Sequence, residues 1–218
     1  RVEQSRDALN QYFSNVIEER RRQPEEDLIS RLIQAEEGGE KLSHEEMLSL
    51  LRLLLIAGNE TTKNLIGNGL LALLHNPGEL ERLRSDPSLM ESAVEEMLRF
   101  DSPVQVDLRI AVENTLVGGT EMSCGQRVLA VIGAANRDPE AFSDPNTLDL
   151  SRNDRPNMSF GRGIHHCLGA PLARLEAAAA FRGMIHRLKE ISLEKAPRFR
   201  SQLVLRGVES LIVKANGF

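Results

Sequence analysis

The stretch Phe160-Gly161-Arg162-Gly163-Ile164-His165-His166-Cys167-Leu168-Gly169 holds the residues with the greatest chemical reach in the chain. Its glycines permit backbone shapes that bring amide N–H groups toward a sulfur, and the helix predicted just after Cys167 favours negative charge at its start. A cysteine so placed is favoured as the thiolate, the form that attacks electrophiles and binds metals. Three chemistries compete for it. A phosphate-cleaving nucleophile calls for an arginine one position nearer than Arg174, with glycines after the cysteine rather than before it. Zinc needs about four ligands at chelating intervals, and here His165, His166 and Cys167 are consecutive with only distant Cys124 to help. An axial thiolate on a haem iron suits a glycine-rich loop, which lets the porphyrin lie against backbone while amides tune the sulfur. A cofactor-free thiol enzyme and a structural cysteine stay open on the residues alone.

Two further constellations carry chemistry. Ala57-Gly58-Asn59-Glu60-Thr61-Thr62 interrupts a long apolar helix with an acid and an alcohol. Gly58 weakens the helix there, and Thr61 can bond back to a carbonyl and open a groove that holds water. Taken alone, the segment reads as a packing notch. Glu96 and Arg99 stand at i and i+3 on one helix face, where an exposed pair contributes at most about 0.5 kcal/mol.

The elements that must position these residues follow from periodicity and breakers. Val2, Leu9, Tyr12, Phe13, Val16 and Ile17 predict a first helix stopped by Arg20 to Arg22 and Pro24, and Leu28, Ile29, Leu32 and Ile33 a second, ended by Gly38 and Gly39. Ser43-His44-Glu45-Glu46 reads as a capping box opening a long helix over about 44–75, apolar nearly all round from Leu50 to Ala57 and so expected to be buried. A helix over about 88–100 carries Glu96 and Arg99. A small antiparallel sheet is expected over about 104–132, an irregular meander over 136–159, the cysteine loop over 160–169, and a last long helix over about 168–189 with Leu172, Leu175, Ala179 and Met184 on one face. A closing hairpin over about 191–214 would pair Leu203 to Leu205 with Leu211 to Val213. The fold class is mainly α with a small antiparallel β annex, over 1–218.

Composition narrows the function. With 218 residues, 27 Lys plus Arg against 32 Asp plus Glu, net charge −5, one Tyr and no Trp, the chain lacks the basic surface and stacking platforms of a nucleic-acid binder. Two cysteines exclude a disulfide framework and point to a reducing compartment. No apolar run approaches the roughly 20 residues that span a bilayer, and no signal-peptide core opens the chain, so a cytoplasmic protein without a membrane partner is expected.

The pattern Phe-Gly-x-Gly-x-His-x-Cys-Leu-Gly, continued by Ala170-Pro-Leu-Ala-Arg174, resembles the haem-binding loop of bacterial cytochrome P450 monooxygenases. The resemblance implies haem b (iron protoporphyrin IX) with Cys167 as axial thiolate, Phe160, Gly161 and Gly169 against the ring, and His165 on a propionate. Arg109 in the first strand resembles a second propionate partner. Glu60 and Thr61 resemble the family's oxygen-activation motif, which relays protons. Glu96, Arg99 and then Phe100 to Gln105 resemble its Glu-x-x-Arg element, a buried brace under the cysteine loop, whose third member would be Arg152 or Arg155; Thr147-Leu148 replaces the Arg-Phe pair of many relatives. Asn136-Arg137-Asp138-Pro139 also matches the family's wording. The motif order implies the C-terminal, haem-ligating portion of the fold with the N-terminal half absent. The implied activity is dioxygen activation and hydroxylation of a small organic substrate, with electrons from a ferredoxin-type donor docking near Arg162 and Arg174. A separate N-terminal half is an implied partner. The alternative is a truncated, non-catalytic haem-binding or haem-less remnant.

Overall fold

A computed structural model describes residues 2–37, 42–154 and 156–217; Gly38, Gly39 and Arg155, named above, lie outside them. The chain divides into two compact units, Arg1–Asn59 and Glu60–Phe218, with the long helix contributing to both.

In the first unit, α1 (Val2–Arg22) and α2 (Leu28–Glu37) pack Phe13, Ile17 and Ile33 with Met47, Leu48 and Leu51 from the start of α3 (His44–His75). The capping box at Ser43 is formed: the Ser43 amide and hydroxyl both donate to Glu46 at 2.8 Å, and the Glu46 amide returns a bond to Ser43 Oγ at 3.3 Å. α2 is capped by Asp27, which accepts from the Ser30 amide at 2.8 Å and from Arg20 Nε at 2.5 Å. The expected burial of the middle of α3 is corrected. Leu53, Leu55 and Ile56 are 62%, 47% and 64% exposed, because the described residues supply apolar partners to only one side of the helix there. Nor does Gly58 break it: α3 is assigned without interruption from His44 to His75. One glycine costs a helix interior only about 1 kcal/mol relative to alanine, which a helix this long absorbs.

The second unit packs the C-terminal part of α3 with α4 (Pro77–Ser85), α5 (Met90–Phe100) and α7 (Ala170–Arg187). They close tightly at Gly69, where an added Cβ would stand 2.7 Å from both Met97 Sδ and Phe181 Cζ. The buried face of α7 is Ala170, Ala177, Ala178, Phe181 and Ile185 rather than the expected one. Leu172 and Leu175 are exposed, while Phe181 reaches the tight contact at Gly69.

The expected small sheet is two separate pairs. β1 (Asp107–Ile110) pairs with β4 (Arg127–Ala130), and β2 (Thr115–Val117) with β3 (Thr120–Met122), all antiparallel. A short α6 (Ile132–Ala135) leads into the meander. The final pairing joins β5 (Leu188–Leu193) to β6 (Val213–Gly217), not Leu203–Leu205 to Leu211–Val213. Leu205 instead bridges Val104; local hydrophobicity marked the apolar runs but not which of them meet. Among the described residues no helix is long and apolar enough to cross a membrane.

Candidate functional site

Cys167 lies just before α7 on a loop whose shape two glycines set. Gly161 and Gly163 have φ of +66° and +71°, in the left-handed region that costs other residues about 1–2 kcal/mol. The turn closes when the Cys167 amide donates to the Phe160 carbonyl at 2.9 Å, and His166 Nδ1 lies 3.2 Å from the Gly161 carbonyl. Gly169 opens α7, and a Cβ there would sit 4.0 Å from Cys167 Sγ, so the backbone runs close beneath the sulfur. Phe160 anchors the loop's inner side against the helical core, with the Arg174 guanidinium 4.5 Å above its ring. Arg174 is itself fixed to Glu95 at 2.5 Å.

Below the loop, Glu96 and Arg99 are 3% and 2% exposed. Arg99 Nε donates to Glu96 Oε2 at 2.6 Å and Nη2 to Oε1 at 2.7 Å, a bidentate pair. The remaining Arg99 hydrogens go to the carbonyls of Asn136 and Pro145 at 2.9 Å and of Thr147 at 3.1 Å, so every donor of the guanidinium is used. Arg152 Nε donates to Glu96 Oε1 at 3.2 Å, and its Nη1 to Asp154 at 2.8 Å. Burial works against the Arg152 charge, but the Asp154 bond and the Glu96 charge outweigh it and hold its pKa above the usual value. Thr147 contributes its carbonyl, which accepts from Arg99 and Arg152, while Leu148 fills the core.

The residue that ties this brace to the loop was not assigned a role from sequence. Asn136, fully buried, gives its carbonyl to Arg99, accepts from the Met158 amide at 2.7 Å, and donates to Ser102 Oγ at 2.7 Å and Ser159 Oγ at 2.9 Å. Ser159 also donates to the Leu98 carbonyl at 2.7 Å. Bonds therefore run from α5 through Asn136 to the residues just before Phe160. The only signal was the match of Asn136-Arg137-Asp138-Pro139 to a known pattern, which names no partner.

The other expected residues lie on the elements predicted for them, the loop, the first strand and the long helix. His165 is exposed and bonds to none of the other candidates. Arg109, exposed on β1, pairs with Asp107 at 2.6 Å and donates to the Leu108 carbonyl at 3.0 Å. Glu60 is ion-paired to Lys63 at 2.8 Å and to Arg200. Thr61, beside it on α3, is half-buried.

A haem needs one accessible sulfur with an apolar rim, not a cage of ligands. Cys167 is free and exposed, and its neighbours Ile164 and Leu168 are 96% and 85% exposed. Among the described residues no group of three or more His, Cys, Asp or Glu could hold a bare metal ion. The donor set fits a haem and not zinc.

Known proteins agree along the chain. The family model "Cytochrome P450" matches residues 1–208. A putative cytochrome P450, YjiB of Bacillus subtilis, is 47% identical over 206 residues, covering 94% of this chain and 52% of the relative. The polyketide biosynthesis cytochrome P450 PksS of the same organism is 46% identical over 206 residues, covering 93% and 51%. The solved structure of cytochrome P450 CYP109Q5 from Chondromyces apiculatus superimposes with a TM-score of 0.94 at 41% identity, covering 100% of this chain and 56% of that one. The chain thus spans about half the length of the curated relatives it matches, in keeping with the C-terminal portion that the motif order implied. Identity this high over nearly every residue is more than likeness of fold: the chain belongs to the cytochrome P450 family.

Proposed function

We propose that the chain is the haem-ligating half of a bacterial haem-thiolate monooxygenase that hydroxylates a small organic substrate. Family membership implies a haem; haem b is the form that would suit a site offering one thiolate. The observation that carries the reading is an exposed thiol, Cys167, on a loop held from below by a fully satisfied buried ion pair. Such support keeps a sulfur in one place, which a metal ligand requires.

In this reading Cys167 Sγ would bind the iron, Gly161 and Gly169 would leave room for the ring, and Phe160 would pack against it. His165 and Arg109, both exposed, would hold the propionates, which for Arg109 means exchanging Asp107 for a ligand carboxylate. The haem, once bound, supplies dioxygen activation and oxygen-atom transfer, favoured by thiolate donation. Glu60 and Thr61 hold and pass the protons that the reaction consumes. Glu96, Arg99 and Arg152 do no chemistry; they fix the loop. A second polypeptide segment, equivalent to the other half of the relatives, completes the substrate cavity. A ferredoxin-type donor supplies electrons, docking by Arg162, since Arg174 is already neutralised by Glu95. Two free, exposed thiols suit a reducing compartment such as the cytoplasm.

The test is spectroscopic. The haem-supplied protein, reduced and treated with carbon monoxide, should show the red-shifted Soret band of thiolate ligation, and Cys167→Ser should abolish it. If the band is absent both in the chain alone and after co-expression with the missing half of a relative, the reading falls.

A further inference from the structure

We infer that Arg200 is a positioning residue for Glu60, and that the arm carrying it, residues 198–209, exists in this seating to deliver it. The inference rests on the proton-handling role proposed above for Glu60. Both oxygens of that carboxylate are engaged. Oε2 accepts from Lys63 Nζ at 2.8 Å, one turn along the same helix, and Oε1 accepts from Arg200 Nη1, which comes from 140 residues further on. The two cations differ in what they can do. A lysine at i+3 travels with the helix, and its side chain is 53% exposed against 30% for Arg200. Only Arg200 refers the position of Glu60 to a separate element.

The arm is seated to serve that purpose. It follows one stripe of α3, the face shared by positions 60, 64, 67 and 68. Past the Glu60–Arg200 pair, Gly207 presses its backbone on Asn64 so closely that an added Cβ would fall 2.1 Å from Asn64 Oδ1. Val208 Cγ2 would lie 3.8 Å from a Cβ at Gly67, and Asn68 Nδ2 donates to the Arg206 carbonyl at 3.0 Å. The opposite edge is also fixed: Gln105 N donates to the Val204 carbonyl and Arg206 N to the Pro103 carbonyl, each at 2.8 Å, around the Val104–Leu205 bridge. Within the arm, the Arg200 amide donates to the Gly207 carbonyl at 3.0 Å beside the Phe199–Val208 bridge. Arg200 therefore sits directly across the arm from the glycine that permits contact with α3. The absence of a side chain at Gly207 and the guanidinium at Arg200 are two halves of one device, close approach and grip.

Carbon-13 labelling of glutamate carboxyls tests the grip without turnover. The Glu60 resonance, identified by its loss in Glu60→Gln, should move in Arg200→Gln, move likewise in Gly207→Val, which displaces the arm, and be largely restored in Arg200→Lys. Lys63→Gln should move it less than Arg200→Gln. A resonance unmoved by Arg200→Gln overturns the inference whether or not the protein binds haem. Turnover of the haem-loaded, completed enzyme then tests the purpose. Arg200→Gln should change the pH profile of product formed per electron and slow product formation roughly tenfold at unchanged KM, within the roughly 100-fold that a displacement of about 1 Å can cost. An unchanged pH profile reduces the contact to a structural pair and overturns the positioning role. If Glu60→Gln itself leaves coupling intact, the fault lies with the proposed role of Glu60, and the spectroscopic result still reports on the grip.

Discussion

Gly58, Gly69 and Gly161 are the same residue type under three different constraints, and substituting alanine should separate them. Gly58 lies in an exposed helix interior with nothing within 4 Å of an added Cβ. Gly58→Ala should raise stability by up to about 1 kcal/mol through helix propensity. Gly69→Ala drives a methyl into Met97 and Phe181 and should cost about 1–3 kcal/mol by overpacking. Gly161 is strained by conformation rather than crowding, since its nearest contact would be an ordinary 3.8 Å to the His165 carbonyl. Gly161→Ala should cost about 1–2 kcal/mol, and only this variant should also weaken the thiolate Soret signature. Thermal unfolding of the three proteins checks the signs, and the same order for Gly58 and Gly161 would refute the account.

Among the elements, α5 matters most because it holds Glu96 and Arg99 under the loop. Arg99→Ala leaves a buried carboxylate with only Arg152 and the Asp149 amide, and should cost about 3–5 kcal/mol in denaturant unfolding. A loss near that of a surface pair would show that the brace is solvated. The cap of α2 gives a pH test. Asp27 is held at a pKa of about 2, first by the Ser30 amide and then by Arg20, below its ordinary 3.8. A folded value below the unfolded one stabilises above about pH 4 and loses that contribution as pH falls from about 4 to about 2. In Asp27→Asn, this part of the acid sensitivity should vanish from the melting curve.

What the sequence made legible has a physical pattern. The capping box at Ser43, the bounds of α1 and the i, i+3 spacing of Glu96 and Arg99 are local, and local signals survive in a linear string. The β5–β6 pairing joins strands separated by a long return, and no spacing specified it. The inner face of α7 runs through Ala177, Phe181 and Ile185 rather than Leu172 and Leu175, and which face turns inward depends on neighbours that the helix's own spacing does not name. Asn136 escaped notice for the same reason: its role depends on where the Arg99 guanidinium, the Met158 amide and the Ser102 and Ser159 hydroxyls converge, and an asparagine before arginine and proline looks like any turn. Arg200 is a further case, since nothing in residues 198–209 points to a partner 140 residues earlier.

At the scale of the whole molecule, the second unit keeps a core of α3, α5 and α7 while leaving large apolar side chains uncovered at Leu108, Ile110, Leu116, Ile164, Leu168 and Leu172. Surface of that kind marks binding sites or aggregation liabilities. An environment-sensitive apolar dye should therefore fluoresce strongly with the purified chain, and Ile164→Ser with Leu168→Ser should reduce the signal. Haem loading should do the same, and dye binding indifferent to haem would place the open apolar surface away from the cysteine loop. The exposure of Cys124 and Cys167 has a consequence for anyone handling the protein. An accessible sulfur that can bind iron can equally be oxidised by air to a sulfenic acid or joined to a second chain. Freshness of the preparation then decides what is measured: a sample stored without reductant would lose the thiol proposed to bind iron while its helices, and its circular dichroism, stayed intact.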